Sequence, residues 1–312
     1  MDSFDSYVIR KLYKETTKHG DKLAKIEKLV NWNTFTPIIQ PMYTNQGPSG
    51  GRPYMEHVLM VKLLVLQAWY GLSDPELESQ AGNRIDFMHF LGFPEKAPDY
   101  STVWRFRERL AESGRDRLVW KELQRQMDEK GLTVRKGVVQ DASFITADPG
   151  HARVDKPRGE EAKTRRSRDG AWVKKGGKSV FGYKLHAKMD LYHGLIRELE
   201  ATAANVHDSR IDLSRQGEVV YRDKGYQGAV PRGWDATMKR ASRGHPLWIQ
   251  DKLRNMKISR KRCPGERPFA VIKRVFGSGH VLVTSLSRVR VKLVFACLGF
   301  NLFQLGRLGV TA

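Results

Sequence analysis

Residues 179–190 alternate without a break: Phe181, Tyr183, Leu185, Ala187 and Met189 fall on one side, Lys184, His186 and Lys188 on the other. A period of two places successive side chains on opposite faces of an extended chain, so this stretch reads as a half-buried strand. Residues 190–194 turn the chain and residues 195–201 return as its hairpin partner. Two further apolar runs each end in a carboxylate: Gly137-Val138-Val139-Gln140-Asp141, and Val219-Val220-Tyr221-Arg222-Asp223, which Gly225 and Gly228 then break. Each reads as a strand delivering an acid at its C-terminal end. In an open α/β sheet that end gathers ligands, because the loops there vary while the sheet holds their bases. Asp141 and Asp223 are therefore site candidates, and the structural alternative for each is an Asp that opens a turn.

A third acid follows in Ser259-Arg260-Lys261-Arg262-Cys263-Pro264-Gly265-Glu266-Arg267-Pro268. Proline is tolerated only in a first helical turn, so Pro268 starts a helix close to Glu266 that runs to the stop at Gly277. Glu266 and Lys273 then share a face, with Phe269, Ile272 and Phe276 behind it. Residues 205–209, where Asp208 or Ser209 can cap, read as another helix start. The order is βββ-α-β-α, and an apolar helix from residue 291 covers the sheet.

Upstream the pattern is helical. Residues 21–31 place Leu23, Ile26, Leu29 and Val30 at helical spacing behind an Asp21 cap. Residues 44–53, rich in Gly and Pro, read as a linker or long loop. Residues 54–70 are apolar nearly all round and stop at Gly71, which predicts a buried helix at the centre of an N-terminal helical domain. Ser73 and Glu76 fit a capping box. Ser101 caps a helix over 102–113, and another spans 116–130. The 102–113 helix sets Arg105 and Arg109 one turn apart, with Arg107 close by. This suits a helix laid against DNA, and an ordinary solvated basic face would read the same. The division predicted is a helical domain over 1–130 and a catalytic domain over 131–312.

Of the 312 residues, 55 are Lys or Arg against 34 Asp or Glu, a formal charge of +21. Such a chain repels itself unless a polyanion is its partner, and nucleic acid is the expectation. Residues 151–178 hold ten Lys or Arg, four acids and few apolar side chains, poor material for a core. A mobile basic loop that orders on a polyanion is predicted there. The longest uncharged apolar stretch, residues 293–306, is too short for a bilayer span. Two cysteines, without a CxxC pair, suggest neither a disulfide scaffold nor structural zinc, and the first residues lack a signal-peptide layout. The reading is cytoplasmic, without a membrane partner.

Two strand-end aspartates and a helical glutamate in a basic protein suit phosphoryl transfer with divalent metal, since hard Mg²⁺ prefers carboxylate oxygens. No P-loop, GxGxxG, nucleophile elbow or HExxH competes. As a set, the motifs Val139-Gln140-Asp141-Ala142-Ser143, Gly182-Tyr183-Lys184-Leu185-His186, Thr202-Ala203-Ala204-Asn205-Val206-His207-Asp208, Asp223-Lys224-Gly225-Tyr226-Gln227-Gly228, and Arg262 with Glu266 and Lys273 resemble the DDE transposases of the insertion-sequence-five group. That group lies within the ribonuclease H-like, insertion-sequence-four-like set. The resemblance extends to Gly51-Arg52-Pro53-Tyr54 and Trp69-Tyr70-Gly71-Leu72-Ser73-Asp74.

It implies a ribonuclease H-like catalytic domain in which Asp141, Asp223 and Glu266 bind two Mg²⁺ ions, with Mn²⁺ as a substitute. It implies that Arg262 and Lys273 contact DNA near the cut and that the N-terminal helices help recognise terminal inverted repeats. Double-stranded DNA is the implied partner, with a homodimer in the DNA complex. The family pattern has a Tyr three residues before the Arg, where this chain has Ser259, so a stacking contact is missing. His186 and His207 read as structural hydrogen-bonding groups. A ribonuclease H-like nuclease that does not join, and a decayed transposase that only binds DNA, are the competing readings.

Overall fold

The computed structural model describes residues 4–43, 54–150, 167 and 169–309. The chain forms two units, residues 1–131 with 294–312, and residues 132–293. The first is helical: α1 (Phe4–Thr16), α2 (Lys22–Leu29), α3 (Thr36–Ile39), α4 (His57–Tyr70), α5 (Asp74–Asn83), α6 (Ile85–Phe90), α7 (Tyr100–Ser113) and α8 (Asp116–Glu129).

Every residue from 59 to 66 of α4 is buried, as its all-round apolar surface predicts. The one cation among them, Lys62, lies 2.8 Å from Glu27 Oε1 and over the rings of Trp32 and Phe90. The helix ends at Gly71 in the left-handed conformation. Asp21 accepts the Leu23 N–H, and Ser73 and Glu76 form the predicted capping box. The cap of α7 differs from expectation. Asp99, not Ser101, accepts the Thr102 N–H, and the Ser101 hydroxyl donates to Asp99 instead. These two bonds, Ser101 first, bring the Asp99 carboxyl down to about 2. The predicted linker over 44–53, and with it Gly51-Arg52-Pro53, lies outside the described residues.

The second unit is built on a mixed sheet of β1 (Val138–Ala147), β2 (Ala171–Lys175), β3 (Lys178–Asp190), β4 (Ile196–Ala203), β5 (Val219–Arg222), β6 (Trp234–Thr237) and β7 (His280–Val281). Its order is β2-β3-β1-β5-β6, with β4 also paired to β3 and β7 to β1. Strands β2, β1 and β4 run antiparallel to β3, whereas β5 and β7 are parallel to β1, and β6 to β5.

Four expectations need correction here. Strand β1 does not end at Asp141 but runs on to Ala147, because β3 pairs with it as far as Thr146. Residues 171–178, assigned to the basic loop, form β2 and its turn into β3, while 151–166 and 168 lie outside the described residues. The helix expected after residue 205 is a single 3-10 turn, Asp208–Arg210. Finally, β3 is covered on both sides: His186 and Lys188, placed by alternation on an open face, are each fully buried.

The last two corrections share a cause. Gln140, opposite Lys188, holds the Ile211 carbonyl and the Leu213 N–H, so the non-helical segment after β4 lies over the polar face. Lys188 lies 3.0 Å from Glu218 Oε2, and His186 Nε2 is 2.9 Å from Thr202 Oγ1, while among the described residues His186 Nδ1 has no hydrogen-bond partner.

After β6 comes a helix absent from the sequence reading, α9 (Ile249–Arg262). A 3-10 turn, Cys263–Gly265, leads directly into α10 (Glu266–Ala270), which starts where Pro268 predicts. A π-helical turn, Val271–Val275, follows. The final helix, α11 (Leu286–Leu308), starts before residue 291, and from Val294 on it groups with the helical unit rather than with the sheet it was expected to cover. Extended to 23 residues, it is long and apolar enough to cross a bilayer by length and composition; 72% of its apolar 18-residue stretch is buried inside the protein, as in a core helix.

Candidate active site

Strands β1 and β5 pair in parallel with Val138 opposite Val220 and Val139 opposite Tyr221. Carried two residues further, the register sets Asp141 against Asp223. Adjacent strands lie about 5 Å apart and partners share a face, so these two carboxylates are neighbours. Strand β5 has ended by then, and β7 meets β1 only at Thr146 and Ala147. Among the described residues, 140–145 of β1 have no strand on that edge, and the site occupies the gap.

Asp141 Oδ1 accepts the Ala142 N–H, and Oδ2 accepts from Arg262 Nη2, each at 2.8 Å. Burial pushes the Asp141 carboxyl above the usual range; Arg262 and the Ala142 N–H oppose this, and the charges of Asp223 and Asp208 add to it. Asp223 caps the 3-10 turn Lys224–Tyr226, its Oδ1 accepting the Gly225 N–H at 2.8 Å.

Two participants escaped the sequence reading. Asp208 read as a helix cap, yet its 3-10 turn packs against the one that follows Asp223, and Lys184 Nζ holds its Oδ1 at 2.8 Å. Tyr226 is fully buried and its hydroxyl has no well-aligned hydrogen-bond partner. Burial, then the charges of Asp141, Asp208 and Asp223, push its ionisation far above the ordinary phenol value. A buried phenol among carboxylates stays neutral and keeps a proton to donate. The Asp-Lys-Gly-Tyr spacing was the available signal for it.

Glu266, the third acid, is the exposed first residue of α10. Gly265 before it packs on Val139, two residues ahead of Asp141. Among the described residues, no three His, Cys, Asp or Glu side chains are grouped to hold a metal ion. In this arrangement Arg262 takes Asp141 Oδ2. Lys273, on the π turn, donates to Ser143 Oγ at 3.3 Å, on the same face of β1 as Asp141. Ser259 is exposed on α9, one turn before Arg262.

His186 is kept neutral, its pKa lowered to about 4 by burial. His207 caps its 3-10 turn by accepting the Ser209 N–H at 3.3 Å. In the helical unit, Arg107 grips Asp74 through both Nη atoms, at 2.5 and 2.6 Å. Arg109 lies over the rings of Tyr43 and Tyr54, at 4.8 and 5.9 Å from their centroids. Arg105 is exposed and pairs with no acid among the described residues.

Two family models match the chain. A transposase domain (DUF772) matches residues 10–109, and the transposase DDE domain matches residues 133–302, more than half the sequence. The chain belongs to the DDE transposases. The DDE domain is ribonuclease H-like, and the mixed sheet carrying Asp141 and Asp223 is that fold in this transposase. Transposases act on DNA, and the family's chemistry is cleavage and joining that generally uses divalent metal ions. No solved structure matches the transposase.

Proposed function

We propose that this transposase, of the insertion-sequence-five group, binds the terminal inverted repeats of a bacterial or archaeal insertion sequence, nicks their ends and joins them to target DNA. The observation that carries this is the register of β1 and β5, which makes neighbours of Asp141 and Asp223 at an edge left open for substrate. The donor set fits a hard divalent ion: a carboxylate raised by burial first, with the charges of Asp223 and Asp208 adding to it, gains from a cation. Asp141 and Asp223 would hold Mg²⁺ or Mn²⁺, with Glu266 brought in from the adjoining helical turn to complete a two-ion site. Bound there, the metal supplies activation of the attacking oxygen and stabilisation of the leaving one.

The chain's own groups do the rest. Tyr226, buried beside these charges with its hydroxyl unaligned to any partner among the described residues, keeps a proton available to an oxygen brought into the site. Lys273 and Arg262 hold phosphates beside β1, and Arg105 and Arg109 contact DNA from the helical unit. Residues 1–130 serve end recognition and 131–312 catalysis, in a cytoplasmic protein that pairs two copies on DNA.

The test is incubation of the purified protein with Mg²⁺ and a labelled duplex carrying the element's end plus an unlabelled target. Joined product is the expected result. Nicking without joining would reassign the protein as a nuclease, and binding without nicking as a DNA-binding protein.

A further inference from the structure

Arg262 and Asp141 are paired side by side at 2.8 Å, with side chains 17% and 23% exposed. The pairing is one-sided. Among the described residues, Nη2 is the one guanidinium nitrogen that meets an oxygen: Nη1 reaches the Met238 thioether sulfur at 3.9 Å, and Nε is buried with no partner. An Arg fork is shaped for two parallel bonds to one anion, so this arrangement leaves much of its hydrogen-bonding capacity unused. Meanwhile both oxygens of Asp141 are engaged, Oδ1 by the Ala142 N–H and Oδ2 by Arg262, and a positive charge stands beside the carboxylate that a cation would need. Glu266, four residues on, is exposed.

We infer that Arg262 is a positioning residue that keeps Asp141 from metal until a DNA phosphate draws the guanidinium away, so that metal loading and DNA binding are coupled. The inference rests on Asp141 being a metal ligand. A phosphate offers two oxygens to the Nε–Nη2 edge, satisfies the orphaned Nε, and frees Asp141 Oδ2. The exchange moves no proton and breaks no covalent bond. Thermodynamic reciprocity then requires DNA to tighten metal binding by the factor with which metal tightens DNA.

The experiment is calorimetric titration of the full-length protein with Mn²⁺, comparing wild type with Arg262→Gln, Arg262→Lys and Asp141→Asn, each checked for folding by circular dichroism. Without DNA, Arg262→Gln binds Mn²⁺ about tenfold more tightly than wild type, as expected for a coupling of ordinary size. Arg262→Lys, which keeps the charge, stays near wild type, and Asp141→Asn loses the tight site. A 30-base-pair duplex of the element's end tightens Mn²⁺ binding to wild type but not to Arg262→Gln. The wild-type half of this comparison can still overturn the gate if Arg262→Gln folds poorly, because it needs no variant. Equal Mn²⁺ affinity of wild type with and without duplex, with Asp141→Asn still losing the site, would overturn the gate and leave the metal site standing. Unchanged Mn²⁺ binding in Asp141→Asn would overturn both.

Discussion

Gly265 sits so close over Val139 that a Cβ at residue 265 would lie 2.7 Å from Val139 Cγ1. Val139 is buried and β-branched on a central strand, so it cannot turn aside. This contact fixes where the turn before Glu266 meets the strand carrying Asp141. Gly265→Ala must therefore lift the helical segment rather than compress the sheet, at a cost of about 1–3 kcal/mol, typical of overpacking. Nicking of the element's end is expected to fall more than stability accounts for, since Glu266 moves with the turn. Urea unfolding together with nicking rates checks this; a variant as active and stable as wild type would show that the contact is slack.

Much of this arrangement was legible in the sequence, and the failures have physical causes. Alternation located β3 to within a residue, but a period of two reports the two faces and not what covers each. His186 and Lys188 look solvated until Thr202 and Glu218 are seen to meet them. The strand ending at Arg222 was visible because Asp223 and Gly225 terminate it. By contrast, β1 reads as ending at Asp141 because Ala142, Ser143 and Thr146 dilute its apolar run, and only the β3 ladder extends it. Helix α9 was missed although Ile249, Leu253 and Met256 stand at helical spacing; that stripe stays exposed, and the buried residues are Asn255 and Ile258. For the site, the acids stood out as residue types. The Arg262 contact and the burial of Tyr226 arise between segments far apart in sequence, which local pattern cannot show.

Burial of neutral His186 makes stability depend on pH. Its folded pKa is about 4, against 6.5 for an ordinary His; desolvation is the main cause, Asp208 opposing it and Lys184 reinforcing it. Between those values the unfolded chain binds the proton that the native chain refuses. The contribution is therefore complete above pH 6.5 and is lost as pH falls toward 4, to a total of roughly 3 kcal/mol. Urea midpoints measured from pH 7.5 to 4.5 should show this fall, and His186→Gln should flatten it. An equal slope in the variant would assign the fall to other groups.

Lys188 and Glu218 form an ion pair whose side chains are only 1% and 12% exposed. Removing the anion alone strands a buried ammonium, so Glu218→Gln should destabilise by about 3–5 kcal/mol. Replacing both, with Lys188→Met added, should recover a good part of that loss, because no unpaired charge remains. A double variant no better than Glu218→Gln would mean that Glu218 acts through the Arg215 N–H it also accepts.

Lys273 reaches Ser143 beside Asp141, where a phosphate of the bound end would pass. Lys273→Ala should weaken binding to duplexes of any sequence and reduce the slope of log affinity against log salt by about one contact. Fluorescence anisotropy across a salt series measures this. An unchanged slope would confine Lys273 to its contact with β1.

Asp223→Asn separates holding DNA from cutting it. The change removes one anionic oxygen while keeping the side-chain shape, and an amide oxygen can still accept the Gly225 N–H that the carboxylate now takes at 2.8 Å. The turn carrying Tyr226 is thus retained. Binding to the element's end should survive or strengthen, because a chain of net charge +21 loses a negative charge that opposed the phosphates. Cleavage should fall by several orders of magnitude, since a ligand that neighbours Asp141 is lost and an amide does not replace a carboxylate at a hard cation. Parallel gel-shift and cleavage assays on one labelled end, with Mg²⁺ and with Mn²⁺, read both quantities. A variant that binds and cuts like wild type would remove Asp223 from the site, and loss of binding and cutting together would show that Asp223 instead holds the fold around Tyr226.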